Sequence, residues 1–221
     1  MPDYKISNKG TTKLFDNKVL EALTRTYFAF PVVMYYAAGL VILIYSAFFT
    51  ELNMWHALYM VPTGLIVFTF VEYLIHRFLF HFNAKNENQQ KLKYNIHGVH
   101  HEYPRDKDRL VMPPVLSIGL AVVFYFLFRI LIGEYVLLFF PGFLAGYSTY
   151  LLIHYAVHRY RPPRNFLKYL WKHHSLHHYK DEHTAYSVSF PLWDILFRTM
   201  PYTGEKRDRA AEEKLPDYHT T

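Results

Sequence analysis

The stretch YVLLFFPGFLAGYSTYLLIHYAVH, residues 135–158, joins a long apolar run to two histidines. A helix needs about 20 apolar residues to cross a bilayer, and this stretch contains no Asp, Glu, Lys or Arg. His154 and His158 are four residues apart, so on a helix they share one face. The stretch therefore predicts a membrane-spanning helix that carries a pair of candidate metal ligands at one end.

Three further runs resemble this one in length and composition, and Glu72 and Arg129 are their only charged residues. The four predicted spans are residues 27–49, 54–75, 115–132 and 135–157. Only residues 50–53 and 133–134 separate the spans within each pair. We therefore expect an all-α integral membrane protein with four transmembrane helices, arranged as two hairpins, in a single domain over residues 1–221.

The basic residues follow the pattern of a membrane protein and do not indicate nucleic-acid binding. Of 24 lysines and arginines, 23 lie before the first span, between the second and third, or after the fourth. Positively charged loops stay on the cytoplasmic side, so both termini are expected there, with a helical cytoplasmic cap formed by residues 76–114 and 158–221. Arg129 is the exception, and we expect it to point outward toward Glu134.

Twelve of the 14 histidines fall into groups with metal-ligand spacing, all at cytoplasmic ends of spans or in the cap. The groups are His76 and His81; His97, His100 and His101; His154 and His158; and His173, His174, His177 and His178, with His183 just beyond. Positions i, i+3 and i+4 share a helical face, so each of the last three groups is expected to offer two or three rings to one point. So many ligands suit two metal ions better than one.

The first group is less regular, because its members are five residues apart. Either they reach different ions or the helix ends between them. Glu72, one turn earlier, is expected to accept the second N–H of the first ring. His173 and His183 are candidates for supporting or structural roles. His56 and His219 lie outside the groups and are expected to be ordinary hydrogen-bonded or solvated residues.

The chain contains no cysteine, which excludes thiolate ligands and cysteine nucleophiles. Imidazole suits iron, copper, nickel and zinc better than magnesium or calcium. The spacing does not select among the further carboxylates near the groups, which are Asp106, Asp181, Glu182 and Asp194. Tyr147, Tyr150 and His154 form one stripe on the last span. This stripe is either a packed helix interface or the wall of a lipid chamber that ends at the metals.

At these groups the sequence resembles the fatty acid hydroxylase superfamily, specifically the fatty acid 2-hydroxylases. The resemblance covers most of the chain and its motifs occur in the family's order. They are LFDNKVLEALTRT (14–26), the first two histidine groups HRFLFH (76–81) and HGVHH (97–101), GYSTYLLIHYAVH (146–158), and HSLHH (174–178) with the following YKDEHTAYSVSFPLWDILF.

The resemblance implies a centre of two metal ions held by ten histidines. These are His76, His81, His97, His100, His101, His154, His158, His174, His177 and His178. It also implies O2-dependent hydroxylation of a long fatty acyl group at C2, in a free acid or in the N-acyl chain of a sphingolipid. An alkyl C–H bond has no acidic proton for a general base to remove, so we expect iron to be the working metal, although zinc can fill such sites.

The chain departs from the family pattern in two places. Leu151 stands where relatives often have aspartate, on the side expected to face substrate, so Tyr147, Tyr150 and Leu151 are the candidate pocket residues. Only 26 residues precede the first span, too few for the haem-binding cytochrome domain of the eukaryotic enzymes. Electrons are therefore expected from a separate electron-transfer protein. Residence in a bacterial inner membrane or in the endoplasmic reticulum stays open.

Other functions fit part of the pattern. A sterol or carotenoid hydroxylase, or a lipid desaturase, uses histidine groups of the same type on a different carbon or bond. A non-catalytic metal-binding or transport protein of the membrane is the alternative from another class. A transporter places its ligands near the middle of the bilayer, whereas these histidines lie at the ends of the predicted spans and beyond.

Overall fold

The computed structural model describes residues 5–201, and all regular structure in that range is helical. The α-helices are α1 (Lys18–Leu23), α2 (Ala29–Phe49), α3 (Ala57–Leu74), α4 (Glu87–Lys93), α5 (Val99–Glu102), α6 (Pro114–Ile132), α7 (Val136–Arg159), α8 (Lys168–Tyr179) and α9 (Leu192–Leu196). Two π-helical segments, Ile75–Phe80 and Tyr94–Gly98, follow α3 and α4. The all-α prediction is thus confirmed for these residues, while His219 and residues 202–221 of the predicted cap lie outside them.

Three helical stretches are long and apolar enough to cross a membrane. They are Ala29–Phe49, Met54–Phe80 and Lys107–Arg159. The third contains both α6 and α7, which are separated at Gly133, where φ is +60°. The rings of Phe124 and Phe143 lie 5.3 Å apart, so α7 folds back along α6. Arg129 pairs with Glu134 at this turn, as expected. The number of membrane crossings, four in our interpretation, stays a prediction.

α7 is the central helix of the bundle, and both α2 and α3 pack against it. Polar contacts fix α2 to α7: the hydroxyls of Tyr36 and Thr149 lie 2.8 Å apart, and Ser148 Oγ donates to the carbonyl of Val32 at 3.2 Å. The two helices thus pack chiefly against α7, and the arrangement as two hairpins stays a prediction.

Glycines allow α3 and α7 to approach closely. A Cβ atom added at Gly64 would overlap the carbonyl oxygen of Phe139, and one added at Gly142 would overlap that of Val61. Lipid tails are as apolar as the helix surfaces, so association in a membrane depends on close packing between small residues. This contact holds α3 and α7 side by side, and a histidine group lies at the C-terminal end of each helix.

Replacing Gly142 by alanine is expected to force α3 and α7 apart. Such overpacking costs about 1–3 kcal/mol of unfolding free energy, which lowers the melting temperature by roughly 2–4 °C per kcal/mol in a chain of this size. Thermal unfolding in detergent, followed by tryptophan fluorescence, measures the change. Gly119→Ala on α6 is the matched control, since nothing lies within 4 Å of the added atom. Equal melting temperatures would contradict the role given to this contact.

Candidate metal centre

Ten buried histidines form two groups, and in each group one nitrogen from every ring lies within 4.8 Å of the others. None of the ten is more than 6% exposed. Site A consists of His76, His81, His97, His101 and His177. Site B consists of His100, His154, His158, His174 and His178. All ten histidines that the resemblance implies as ligands are thus brought together, five at each site.

Two of the sequence groups are divided between the sites. His97 and His101 belong to site A and His100 to site B, whereas His174 and His178 belong to site B and His177 to site A. Each of these groups thus brings two rings to one site, and a third ring, His100 or His177, lies at the other site. With 3.6 residues per turn, rings four apart nearly coincide in direction. Rings that are adjacent in sequence diverge by about 100° and therefore reach different sites.

His76 and His81 reach the same site because the helix widens between them. The N–H of His81 donates to the carbonyl of His76 at 3.1 Å, which is the i→i+5 bond of a π-helix. This pattern brings residues five apart onto one face. The alternative that the pair binds different ions was therefore wrong, and the helix ends at His81 instead of between the two rings.

Backbone carbonyls fix the protonation of three of the rings. In each, the Nδ1–H donates to a carbonyl oxygen: His76 to Tyr186, His154 to Leu110 at 2.8 Å and His177 to Thr184 at 2.7 Å. A neutral imidazole has one N–H, so Nε2 of each ring is left with its lone pair. This is the arrangement in which a metal-binding histidine is oriented by a partner on its other nitrogen.

Four pairs of Nε2 atoms then lie only 2.9–3.1 Å apart. The pairs are His76 with His97, His81 with His177, His100 with His154, and His158 with His174. In three of them one Nε2 directs its lone pair at the other ring, an arrangement that suits either an N–H···N hydrogen bond or a metal ion shared by the two rings. Two nitrogens bonded to one ion at about 2.0–2.1 Å can be separated by such a distance. Nε2 of His101 and of His178 is also buried without a partner within the described chain. The donor set fits two nitrogen-ligated metal ions.

Burial also favours the neutral, metal-binding form of these rings. Burial is the largest cause of the lowered histidine pKa values in the cap, and it lowers the pKa of His177 to about 3. The pKa falls well below its usual range at His97, His100, His101, His174 and His178, where neighbouring imidazoles lower it further. Protons therefore compete weakly with a metal ion for these nitrogens.

Glu72 acts on site A indirectly. The expectation that it accepts from His76 was wrong, because the Nδ1–H of that ring is bonded to the carbonyl of Tyr186. The Glu72 carboxylate instead accepts the backbone N–H of Val188 at 2.6 Å and of Ser189 at 3.0 Å, together with the Ser189 hydroxyl. Glu72 thus holds the loop of residues 184–189, which presents two of the ring-orienting carbonyls.

Asp194 is fully buried and holds the same loop from the other side. It accepts the backbone N–H of Tyr186 at 2.9 Å and of Ser187 at 2.8 Å, the Nε2–H of His173 at 3.0 Å and the hydroxyl of Thr199 at 2.7 Å. Burial alone raises the pKa of Asp194, but these hydrogen bonds outweigh it and lower the pKa. His173 thus belongs to neither site and ties α8 to the loop.

A cavity of about 510 Å³ adjoins both sites. Histidines of site A and site B line one end of it, and apolar residues of α3, α6 and α7 line the rest, as far as Phe124 and Phe143. Phe143 lies 11 residues before His154 on α7, so the cavity follows the helix for roughly 16 Å at 1.5 Å per residue. The candidate pocket residues Tyr147, Tyr150 and Leu151 all lie in its wall.

Sequence patterns do not identify the carbonyls of Leu110, Thr184 and Tyr186, because any residue type can supply a main-chain oxygen. They also do not identify Arg109, which lines the cavity and is only 7% exposed. No sequence pattern separates that arginine from the other basic residues of the cap. His183 is exposed and lies in neither site.

Comparison with known proteins agrees with this geometry. The fatty acid hydroxylase family model matches residues 61–199. The chain is 36% identical over 148 residues to a dihydroceramide fatty acyl 2-hydroxylase of Arabidopsis thaliana, covering 66% of this chain and 62% of that protein. It is 33% identical over 218 residues to the fatty acid 2-hydroxylase of Homo sapiens, covering 88% and 57%. The chain thus spans less than two thirds of the length of either relative.

The fold also matches a solved structure. Full-length scs7p, of which only the hydroxylase domain is visible, superposes with a TM-score of 0.79 at 34% identity. The superposition covers 87% of this chain and 73% of the other. Similarity therefore extends over both the helical bundle and the cap.

Removing one ring from either site is expected to cost about one metal ion per chain. His177→Ala removes a ring from site A, and His178→Ala removes one from site B. Each variant should lose the ion of the altered site more readily than the ion of the intact site. Elemental analysis of purified protein after treatment with a chelator measures the content. His183→Ala is the control and should match the parent. Undiminished metal in His177→Ala would contradict that ring as a ligand.

Asp194→Asn is expected to weaken metal binding at site A about 10- to 100-fold, the usual effect of losing a partner that supports the ligands. The amide has one acceptor oxygen for the donors that the carboxylate satisfies, and its own N–H groups face further donors. Competition with a chromophoric chelator measures the affinity. Asp16→Asn, on an exposed residue paired with Lys13, should bind metal as the parent does. If both variants bind alike, Asp194 does not support the site.

Proposed function

The chain belongs to the fatty acid hydroxylase family, and from that membership we propose that it hydroxylates a long-chain fatty acyl group at C2. The acyl group is a free fatty acid or the N-acyl chain of a sphingolipid. The relatives whose names specify fatty acid or dihydroceramide 2-hydroxylation support this substrate class. A sterol or carotenoid hydroxylase, or a desaturase, would share the metal centre but differ in the product.

The observation that carries the proposal is the cavity that joins the two sites to the interior of the bundle. Its walls are apolar as far as Phe124 and Phe143, which suits an alkyl tail. Its polar groups are concentrated at the histidine end. An acyl chain with its tail among the phenylalanines has its first carbons beside the sites. This orientation favours reaction near the carboxyl end over reaction along the tail.

We assign the pocket residues to positioning the acyl chain. The Tyr150 ring stacks on that of His154, with centroids 5.5 Å apart and planes 11° from parallel. The Tyr147 ring stacks on Tyr150 in turn. These rings form a continuous wall from site B into the bundle, and Leu151 adds an apolar surface beside them. Such a wall excludes water from the reacting carbon and keeps the chain extended along α7.

The ten histidines would hold the metal ions, and when bound, redox-active ions such as iron supply the activation of O2. Zinc binds the same ligands but has no redox chemistry. The reaction places one oxygen atom at C2 and releases the other as water, which consumes a pair of electrons and a pair of protons. A separate electron-transfer protein is our proposed source of the electrons.

We further propose that the protein crosses the membrane four times, with both termini and the metal centre facing the cytoplasm. The distribution of lysine and arginine supports this orientation. The three apolar helical stretches support an integral membrane protein, and the lipid substrate then reaches the cavity from the bilayer. The proposal holds equally for a bacterial inner membrane and for the endoplasmic reticulum.

Oxygen labelling tests the proposed reaction. Membranes that contain the protein and a reducing system are incubated under 18O2, and the lipids are analysed by mass spectrometry. We expect 2-hydroxy acyl products that carry one labelled oxygen, and none from His177→Ala, which lacks one ring of site A. Label derived from water would reject the oxygenase. A new double bond without added oxygen would identify a desaturase instead.

A further inference from the structure

Arg109 is a buried cation at the metal end of the cavity. Arg109 is one of the residues that line the cavity, and it is 7% exposed. The next residue, Leu110, accepts the Nδ1–H of His154 at 2.8 Å, so the arginine is one residue away from a group that orients site B. It precedes Pro114, where α6 begins, and therefore lies outside the apolar walls.

Only part of this guanidinium is paired. Its Nη2 donates to Glu21 at 2.5 Å, whereas Nε and Nη1 are buried and have no partner among residues 5–201. An arginine side chain stays protonated in proteins. Donors that are buried without an acceptor destabilise the protein. Two N–H-bearing nitrogens of Arg109 are thus suited to an oxygen acceptor that the described chain does not supply.

Glu21 does not supply an acceptor for Nε and Nη1 of Arg109, because its carboxylate already accepts from several other donors. It accepts the backbone N–H of Leu14 at 2.9 Å and of Phe15 at 3.2 Å, and the guanidinium of Arg25 at 3.2 Å. Leu14 and Phe15 themselves line the cavity. Glu21 therefore holds the N-terminal segment against the cavity and fixes Arg109 beside it.

We propose that Arg109 binds the oxygen atom on C1 of the substrate, which is a carboxylate oxygen of a free fatty acid or the amide carbonyl oxygen of a ceramide. This inference rests on the proposed function. With C1 held at Arg109 and the tail directed toward Phe143, the carbon next to C1 is the one presented to the sites. Arg109 thereby determines which carbon is hydroxylated as well as how tightly the lipid binds.

The test uses the full-length, metal-loaded protein in detergent and two probes, hexadecanoic acid and N-hexadecanoyl dihydrosphingosine. Arg109→Lys keeps a positive charge near Glu21 but loses the planar set of donors, and Arg109→Gln loses the charge as well. Loss of a hydrogen bond to a charged group should weaken binding about 10- to 100-fold. We expect KM to rise more than kcat falls, and part of the product to carry its hydroxyl at C3.

Arg25→Gln is the matched control, because Arg25 contacts the same carboxylate and does not line the cavity. It should bind both probes and hydroxylate C2 as the parent does. Comparison of the probes identifies the acceptor. Weaker binding of the acid alone indicates a carboxylate, weaker binding of the ceramide alone indicates an amide carbonyl, and weaker binding of both indicates a shared oxygen position.

Variants of Arg109 that keep two metal ions, bind both probes like the parent and hydroxylate only C2 would overturn the inference. If Arg109→Gln loses its metal or fails to fold, Arg109→Lys decides the question in the same assays. Failure of the proposed function gives a different result. The parent would then form no hydroxylated product from either probe, while the binding measurements would still test Arg109.

Discussion

The burial of ten imidazole rings, with no carboxylate in either group, is the constraint on which the rest of the structure depends. A buried polar nitrogen without a partner is costly, so the two nitrogens of each ring need separate partners. In His154, for example, the Nδ1–H donates to the carbonyl of Leu110, and Nε2 lies 3.0 Å from Nε2 of His100. Such a contact is either an N–H···N hydrogen bond or, when a metal ion is bound, a pair of lone pairs directed at one ion. The arrangement of helices, turns and loop provides such a carbonyl for His76, His154 and His177.

Irregular segments supply carbonyl oxygens that accept hydrogen bonds from the histidine rings. A regular α-helix uses its carbonyls in its own hydrogen bonds, so it has few to offer to a neighbouring ring. The loop of residues 184–189 has free carbonyls, but a buried loop needs acceptors for its own N–H groups. Glu72 and Asp194 provide these from opposite sides. The carboxylates of the centre therefore act on the backbone of the loop, and the backbone acts on the rings.

Sequence reasoning could predict the helical class, the apolar stretches and the participating rings, because these depend on residue type and on spacing along one helix. It could have predicted the division of the rings as well. The adjacent pairs His100–His101 and His177–His178 cannot point to one place on a helix, which turns by about 100° per residue. The π-helical turn at His76 and the packing of α2 and α3 on α7 depend on tertiary contacts. Neither has a signal in the local sequence.

The division of the rings also links distant parts of the chain. At site A an ion would join His76 to His177, which are 101 residues apart (177 − 76), and at site B it would join His100 to His178, which are 78 apart (178 − 100). A cross-link that closes a loop of about 100 residues restricts the unfolded chain by roughly 4.7 kcal/mol. The two closures overlap in sequence, and each includes a ring from α5 and one from α8. Each bound ion thus cross-links distant segments of the chain reversibly. Binding of one ion reduces the conformational entropy that the chain loses when the other site forms.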